Sequence, residues 1–266
     1  MDDTVLKRLS RVLRRHLVPY RHSVLLAAII SAFAVRPLIG DIKDAPAVFS
    51  SAFLILMIAA LYSINIDELV GERGRLLIET KRRQMIGWVL VTASIALRAI
   101  ALFNPARSLY LLTSIAWFLF FAFVTWTELR SLLKHREVTR ETISLSISVY
   151  LLIGLTWGLL YILLFELQPH AFSNLHVTSQ STDPRPAFPV LIYFSLTTLA
   201  TVGYGDITPL TLQARYAAVA EGISGQFYLA ILVARLVAIQ MNQSAGTPTA
   251  PNPRDTDSAQ QSGGGG

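Results

Sequence analysis

Residues 201–205, Thr-Val-Gly-Tyr-Gly, carry the clearest chemical pattern in the chain. A cation that sheds its water needs replacement oxygen ligands, and backbone carbonyls supply them when several point toward one axis. Such a backbone needs unusual dihedral angles, which Gly203 and Gly205 adopt without the steric cost of a Cβ atom. Thr201 can add a hydroxyl oxygen at one end, and Tyr204 can face away from the axis and brace the segment. The pattern predicts a site for a cation at the oxygens of Thr201, Val202, Gly203 and Tyr204.

The composition places this pattern in a membrane protein. Of the 266 residues, 53% are hydrophobic and 15% are charged, whereas soluble domains carry about 25% charged residues. The chain has no cysteine, which excludes a disulfide framework and a thiolate metal site. The net charge of +6 does not predict nucleic-acid binding, because the basic residues lie between apolar segments, where membrane topology accounts for them.

The apolar segments predict an all-α membrane protein with six transmembrane helices. A bilayer core needs about 20 apolar residues per helix, and six segments meet this requirement: 23–40, 47–65, 85–103, 108–126, 142–166 and 214–240. A shorter apolar segment, 187–200, lies between the last two. At 14 residues it is too short to span the membrane and suits a re-entrant segment, which residues 201–205 would follow.

The basic residues predict the orientation of these helices. Segments on one side of the membrane are rich in arginine and lysine, and the alternate loops carry only Lys43, Arg107 and Arg185. The basic set consists of Lys7, Arg8, Arg11, Arg14, Arg15, Arg21, Arg73, Arg75, Lys81, Arg82, Arg83, Arg130, Lys134, Arg136 and Arg140. The positive-inside rule then places both termini in the cytoplasm and the loop with residues 201–205 on the outer side.

Residues 198–205, Thr-Leu-Ala-Thr-Val-Gly-Tyr-Gly, resemble the signature filter of potassium channels. The context agrees, since a short apolar segment precedes them and an acid, Ile-Thr-Pro and a long apolar segment follow. The resemblance covers about 142–241 and implies a potassium-selective pore, with a re-entrant pore helix at about 188–199 and a filter loop at 201–205. It also implies that four copies of the chain close one ring of carbonyls, so we expect a homotetramer in the plasma membrane, as in prokaryotic members with six spans. We expect no cofactor besides the permeant potassium ions.

The resemblance also implies supporting residues around the filter. Asp206 matches the aspartate behind the family's filter, which bonds an aromatic donor on the pore helix. That donor position is Tyr193 here, where many members have tryptophan. Thr198 belongs to the same supporting set. Ala200 departs from the threonine that members commonly carry before the filter, which alters the surroundings of the innermost ion site.

The last apolar segment carries the residues expected to control the pore. Gly225 lies 20 residues after Gly205, at the position of the family's hinge glycine, although a glycine that permits close helix packing is the alternative. By the same spacing, we expect the cavity to be lined by Gln226, Leu229 and Val233. Glu221 is an acid within a predicted span and is therefore a functional candidate. We expect it to support the filter through hydrogen bonds, with control of gating by its protonation as the alternative.

The remaining segments divide the chain into an N-terminal segment 1–22, a peripheral domain 23–130, a linker 131–141, a pore domain 142–241 and a disordered tail 242–266. Residues 1–22 predict a basic amphipathic helix on anionic lipids of the inner leaflet, or else a solvated basic tail. The fourth span has Arg107 and Arg130 only near its ends, so we expect at most a shallow voltage dependence. Glu166 and Arg235, near span ends, are expected to be solvated.

Three other functions compete with a potassium channel. A secondary transporter normally shows internal repeats, and the sequence has none that is evident. A membrane enzyme is not expected, since the chain has no HExxH motif and no cluster of catalytic acids. The closest alternative is the pore subunit of a weakly selective cation channel, or of a cation transport system that needs a regulatory partner.

Overall fold

The computed structural model describes residues 20–39, 52–63, 77–103, 106–135, 138–175 and 187–245. These residues form α-helices and one isolated β-bridge, between Phe172 and Pro209. The helices are α1 (Arg21–Ile39), α2 (Ala52–Ser63), α3 (Leu77–Phe103), α4 (Arg107–Lys134), α5 (Arg140–Leu167), α6 (Ala187–Leu199) and α7 (Leu212–Ala245). The helical class expected from the sequence, an all-α membrane protein, is confirmed.

Four of the described helices contain stretches long and apolar enough to cross a bilayer, namely Gln84–Ala101, Arg107–Lys134, Arg140–Leu167 and Leu212–Met241. The first two predicted spans are described only as shorter apolar helices, Arg21–Ala34 and Ala52–Ser63. The count of six spans therefore stays a prediction. Residues 1–19 and 246–266, which hold most of the predicted amphipathic helix and tail, lie outside the described residues.

The helix α5 is the centre of the packing, in contact with α1, α4, α6 and α7. Its start is fixed locally, because the Thr139 hydroxyl accepts a hydrogen bond from the Thr142 N–H at 3.2 Å and Glu141 lies in the positive first turn. A side-chain cap and an early acid both favour a helix start. Since α5 is apolar along most of its length, it can bury several faces at once, and 50% of it is buried within the chain.

A buried polar cluster joins α1 and α2 to α4 and α5. Nδ1 of His22 lies 3.7 Å from Oε2 of Glu128 on α4 and 3.5 Å from the Ser63 hydroxyl on α2. The Ser23 hydroxyl donates to Oε1 of Glu141 at 2.7 Å, and the His22 N–H donates to Oε2 of the same carboxyl at 3.2 Å. Polar groups out of water need such partners, so the cluster fixes how the peripheral helices sit on α5.

Aromatic rings extend this packing to the start of α6. The Phe53 ring on α2 lies 4.9 Å from the Phe188 ring and 5.3 Å from the Trp117 ring on α4. The Trp117 and Phe188 rings are 5.7 Å apart and almost perpendicular, an arrangement that aromatic pairs favour. The short helix α6 is therefore held at its first turn by two peripheral helices as well as by α5.

Candidate functional site

The helix α6 is a short apolar helix that ends inside the protein. It spans 13 residues, too few for a bilayer crossing, and Pro189 lies in its first turn, where no intrahelical N–H bond is lost. After Leu199 the chain turns back at once. The Thr201 N–H donates to Thr198 O at 3.0 Å, and the Val202 N–H donates to Thr197 O at 2.8 Å. These bonds anchor residues 201–205, here called the filter segment, to the end of α6.

The backbone of the filter segment alternates in handedness. φ is +57° at Thr201, +53° at Gly203 and +78° at Gly205, whereas Val202 and Tyr204 between them have no positive φ. An extended strand points successive carbonyls to opposite sides, but alternation of left- and right-handed residues lets them share one side. Thr201 is notable because a positive φ is an outlier for a β-branched residue, and such strain concentrates at functional sites.

The filter segment has little cover from its own chain. Side chains of Val202 and Tyr204 are 50% and 71% exposed. A Cβ atom built on Gly203 or Gly205 would meet no other heavy atom within 4 Å. An irregular backbone at membrane depth must be covered by protein or line a water-filled pore, so a single chain leaves this segment incomplete.

Two side chains support the residue that follows the filter segment, Asp206. The Tyr193 hydroxyl on α6 donates to Oδ2 of Asp206 at 3.0 Å, and the Tyr193 ring stacks on the Tyr204 ring with centroids 6.4 Å apart. The Asn174 side-chain amide donates to Asp206 O at 2.7 Å. The structure thus brings Tyr193, Asp206 and the filter segment together through one side of α6.

The segment after α5 pairs with the segment after the filter. The Ser173 N–H donates to Thr208 O at 2.9 Å, and the Leu210 N–H donates to Ala171 O at 2.7 Å. The hydroxyls of Ser173 and Thr208 are 2.8 Å apart. These contacts connect the segment that follows α5 to the segment between the filter segment and α7.

Glu221 on α7 is fully buried within the chain. Its Oε2 accepts a hydrogen bond from the Tyr161 hydroxyl on α5 at 2.6 Å, and its Oε1 contacts the Ser195 hydroxyl on α6. The Ser195 hydroxyl also lies 2.6 Å from Gly154 O. One carboxyl group therefore connects the three helices α5, α6 and α7.

The hydrogens in this network can be counted. The Ser195 hydroxyl has a single hydrogen, but it faces two acceptors, Gly154 O and Oε1 of Glu221. Every contact in the network has its own hydrogen when the group at position 221 also carries one, as a neutral carboxyl or an amide does. Glu221 then donates to Ser195, Ser195 donates to Gly154 O, and Tyr161 donates to Oε2 of Glu221.

Gly225 lies where α7 presses against the end of α6. A Cβ atom at this position would come within 2.8 Å of both Leu199 O and Leu199 Cδ1. The close approach supports the packing alternative, and a hinge role for Gly225 stays a prediction. The three residues predicted to line the cavity, Gln226, Leu229 and Val233, are all exposed within the single chain.

Two glycines that the sequence analysis did not select seat α6 on α5. A Cβ atom on Gly154 would lie 2.8 Å from Leu196 Cδ2, and one on Gly158 would lie 2.5 Å from Ile192 Cδ1 and 3.2 Å from Ile192 Cα. Their spacing of four residues is the small-xxx-small pattern of close membrane helix packing, and this pattern was available in the sequence. Tyr161 and Ser195, the partners of Glu221, had no comparable sequence signal.

Replacing Gly158 by alanine is expected to loosen α6, because the added methyl group meets backbone as well as side-chain atoms of Ile192. Overpacking of this kind costs about 1–3 kcal/mol per subunit. Thermal unfolding of the detergent-purified protein, followed by size-exclusion chromatography, measures the loss. Gly87→Ala is the matched control, since its methyl group would meet only side-chain atoms of Leu61 and Phe123. Equal stability of the two variants would contradict the role given to Gly158.

Comparison with known proteins decides the family. Residues 145–241, which contain α6, the filter segment and most of α5 and α7, match the family model described as ion channel. Over 112 residues the chain is 31% identical to Protein LctB of Bacillus caldotenax, and this region covers 42% of the chain and 81% of LctB. The chain belongs to the ion channel family. The family assignment confirms the expectation that this channel is not an enzyme. No solved structure matches the channel.

Two expectations about the ends of the channel's helices are wrong. Glu166 is not solvated, because its Oε1 accepts from the Ser114 hydroxyl at 2.6 Å and its Oε2 is shielded from solvent. Arg235 is half-buried rather than simply solvated. Its guanidinium donates to Leu132 O at 2.9 Å and to His135 O at 2.7 Å. Both side chains bind to other helices, which the sequence pattern did not indicate.

Proposed function

We propose that this channel conducts potassium ions selectively and passively through a filter made of four copies of the filter segment. The observation that carries the proposal is the alternation of positive φ at Thr201, Gly203 and Gly205. It suits a column of carbonyls that replaces the hydration shell of the ion. The ion sites would use the carbonyls of residues 201–204, with the Thr201 hydroxyl at the inner end.

The burial of the helices supports assembly from several copies. Only 11% of α7 is buried within the chain, compared with 50% of α5. Most large apolar side chains along α7, including Tyr216, Phe227 and Ile231, are more than half exposed. A helix that is apolar all round and has little cover of its own needs partners in the membrane. A closed ring with four-fold symmetry would place these faces against neighbouring copies.

The proposed topology has six spans, both termini in the cytoplasm and the filter segment near the outer surface of the plasma membrane. It follows the positive-inside rule. The proposal also keeps the N-terminal segment 1–22 on anionic lipids of the inner leaflet. The peripheral helices would support the pore without sensing voltage, since Arg107 on α4 donates to Glu166 O at 2.9 Å and Arg130 stacks on the Trp126 ring at 4.7 Å.

The reversal potential of the current tests this function. Purified channel is reconstituted in a planar bilayer with potassium on one side and sodium on the other. We expect a reversal potential far from zero, close to the equilibrium potential of potassium. A reversal potential near zero would identify the alternative, a weakly selective cation pore. Flux that requires a second solute would identify a transporter instead.

A further inference from the structure

We propose that the groove between α4, α5 and α7 binds an anionic phospholipid of the bilayer. One acyl chain would lie along the apolar wall, and the phosphate would lie next to Arg235. The proposal rests on the proposed function for the topology of the helices. It concerns a different surface from the filter segment and a different ligand.

The groove has a volume of about 460 Å³ and an apolar wall with contributions from all three helices. Its large apolar residues include Leu129, Ile153, Trp157, Phe227 and Ile231. Four lining residues carry hydroxyl groups, but each already donates to a backbone carbonyl: Thr125 to Phe121 O, Thr156 to Leu152 O, Ser224 to Glu221 O and Tyr228 to Ser146 O. The wall therefore offers few free donors and suits a hydrocarbon chain.

Arg235 is the charged residue of the groove and lies at one end of it. Its guanidinium makes three hydrogen bonds, to Leu132 O at 2.9 Å, Leu133 O at 2.5 Å and His135 O at 2.7 Å. A guanidinium has five N–H donors, so two remain beyond these three bonds. These two N–H groups, one on Nε and one on Nη1, can each donate to a phosphate oxygen. An apolar groove that ends at a cation with donors to spare fits an amphiphile with an anionic head.

The groove lies on the side of α7 away from the proposed cavity. At 3.6 residues per turn, the residues of α7 that line the groove are centred about 160° around the helix from Gln226, Leu229 and Val233. With those three residues facing the pore axis, the groove faces the periphery of the channel. Lipid reaches that side of the channel. A neighbouring copy would mainly cover the faces of α7 that lie between the groove and the pore axis.

Basic residues lie near the end of α4 and the start of α5, the part of the chain that Arg235 contacts. Arg130 and Lys134 near the end of α4 and Arg140 at the start of α5 are all exposed, and Arg130 stacks on the exposed Trp126 ring. The nearby carboxyls of Glu128 and Glu141 belong instead to the cluster around His22. In the proposed topology this end is at the cytoplasmic headgroups, where each basic side chain favours an anionic lipid over a neutral one.

Retention of lipid by the detergent-purified full-length channel tests the proposal. Phosphatidylglycerol and phosphatidylcholine are added in equal amounts, and bound lipid is counted by native mass spectrometry. We expect preferential retention of phosphatidylglycerol. Ile153→Trp, which fills the groove, should lower it about tenfold, the equivalent of about 1.4 kcal/mol. The matched control, Ile147→Trp, adds the same ring at an exposed position of α5 that is not in the groove lining, and should retain lipid like the wild type.

A second variant tests the polar end. Arg235→Lys keeps the charge but loses the planar guanidinium with its two remaining N–H donors, so the preference for phosphatidylglycerol should fall while a bound lipid remains. Equal retention of both lipids by the wild type would overturn the proposal, and so would unchanged retention in Ile153→Trp. If Ile153→Trp prevents assembly and Ile147→Trp does not, the groove is a contact between copies, and the proposal is wrong. Lipid retention is measured without current, so the outcome for the lipid proposal does not depend on whether the channel selects potassium.

Discussion

Replacing Gly203 by alanine is expected to abolish potassium-selective current. The φ of Gly203 is +53°, and a left-handed backbone costs a residue with a Cβ atom about 1–2 kcal/mol. If four copies form one ring, the cost is about 4–8 kcal/mol for the channel, which is comparable to the whole stability of a small domain. We expect the segment to relax away from the conformation that aligns its carbonyls. Bilayer recording with potassium and sodium gradients measures the effect.

The same substitution at Gly222 is the matched control for Gly203→Ala. A Cβ atom has open space at both positions, but Gly222 lies within the helix α7, where alanine is favoured over glycine by about 1 kcal/mol. Any difference between the variants therefore reports the backbone conformation rather than the size of the methyl group. Selective current from Gly203→Ala at the level of Gly222→Ala would refute the role of the positive φ.

Replacing Glu221 by leucine is expected to destabilise the assembled channel strongly, whereas glutamine should preserve it. Leucine leaves the buried Tyr161 hydroxyl without its acceptor, and an unsatisfied buried group costs about 1–3 kcal/mol in each subunit. Glutamine supplies one acceptor for Tyr161 and one donor for Ser195, which is what the hydrogen count of the network requires. The fraction of assembled channel that survives heating in detergent and the potassium current measure both variants.

A double variant separates the lost hydrogen bonds from lost packing. Glu221→Leu combined with Tyr161→Phe removes both polar partners, and replacing both is less costly than leaving one buried and unpaired. We therefore expect the double variant to survive heating better than Glu221→Leu alone. If leucine and glutamine both behave like the wild type, Glu221 does not support the filter. A loss in the glutamine variant as large as in the leucine variant would favour the alternative that Glu221 acts through its protonation.

The sequence alone determined the all-helical membrane class, the position of the filter segment and the short helix before it. Each of these depends on neighbouring residues. Apolar length decides whether a helix suits a bilayer, and the two glycines of the filter segment permit φ values that few other residues adopt. Asp206 and Tyr193, 13 residues apart, could be paired only through the family resemblance, and the structure places them in contact.

The tertiary structure alone decided what the polar residues within the helices contact. Tyr161 and Ser195 are 60 and 26 residues from Glu221 along the chain, and no local pattern relates them. Arg235 binds carbonyls about 100 residues away, so the expectation that solvent alone surrounds it was wrong. In a membrane a buried polar group must find its partner within the protein. Which partner it finds depends on how the helices pack, and that packing depends on close approaches such as those at Gly154, Gly158 and Gly225.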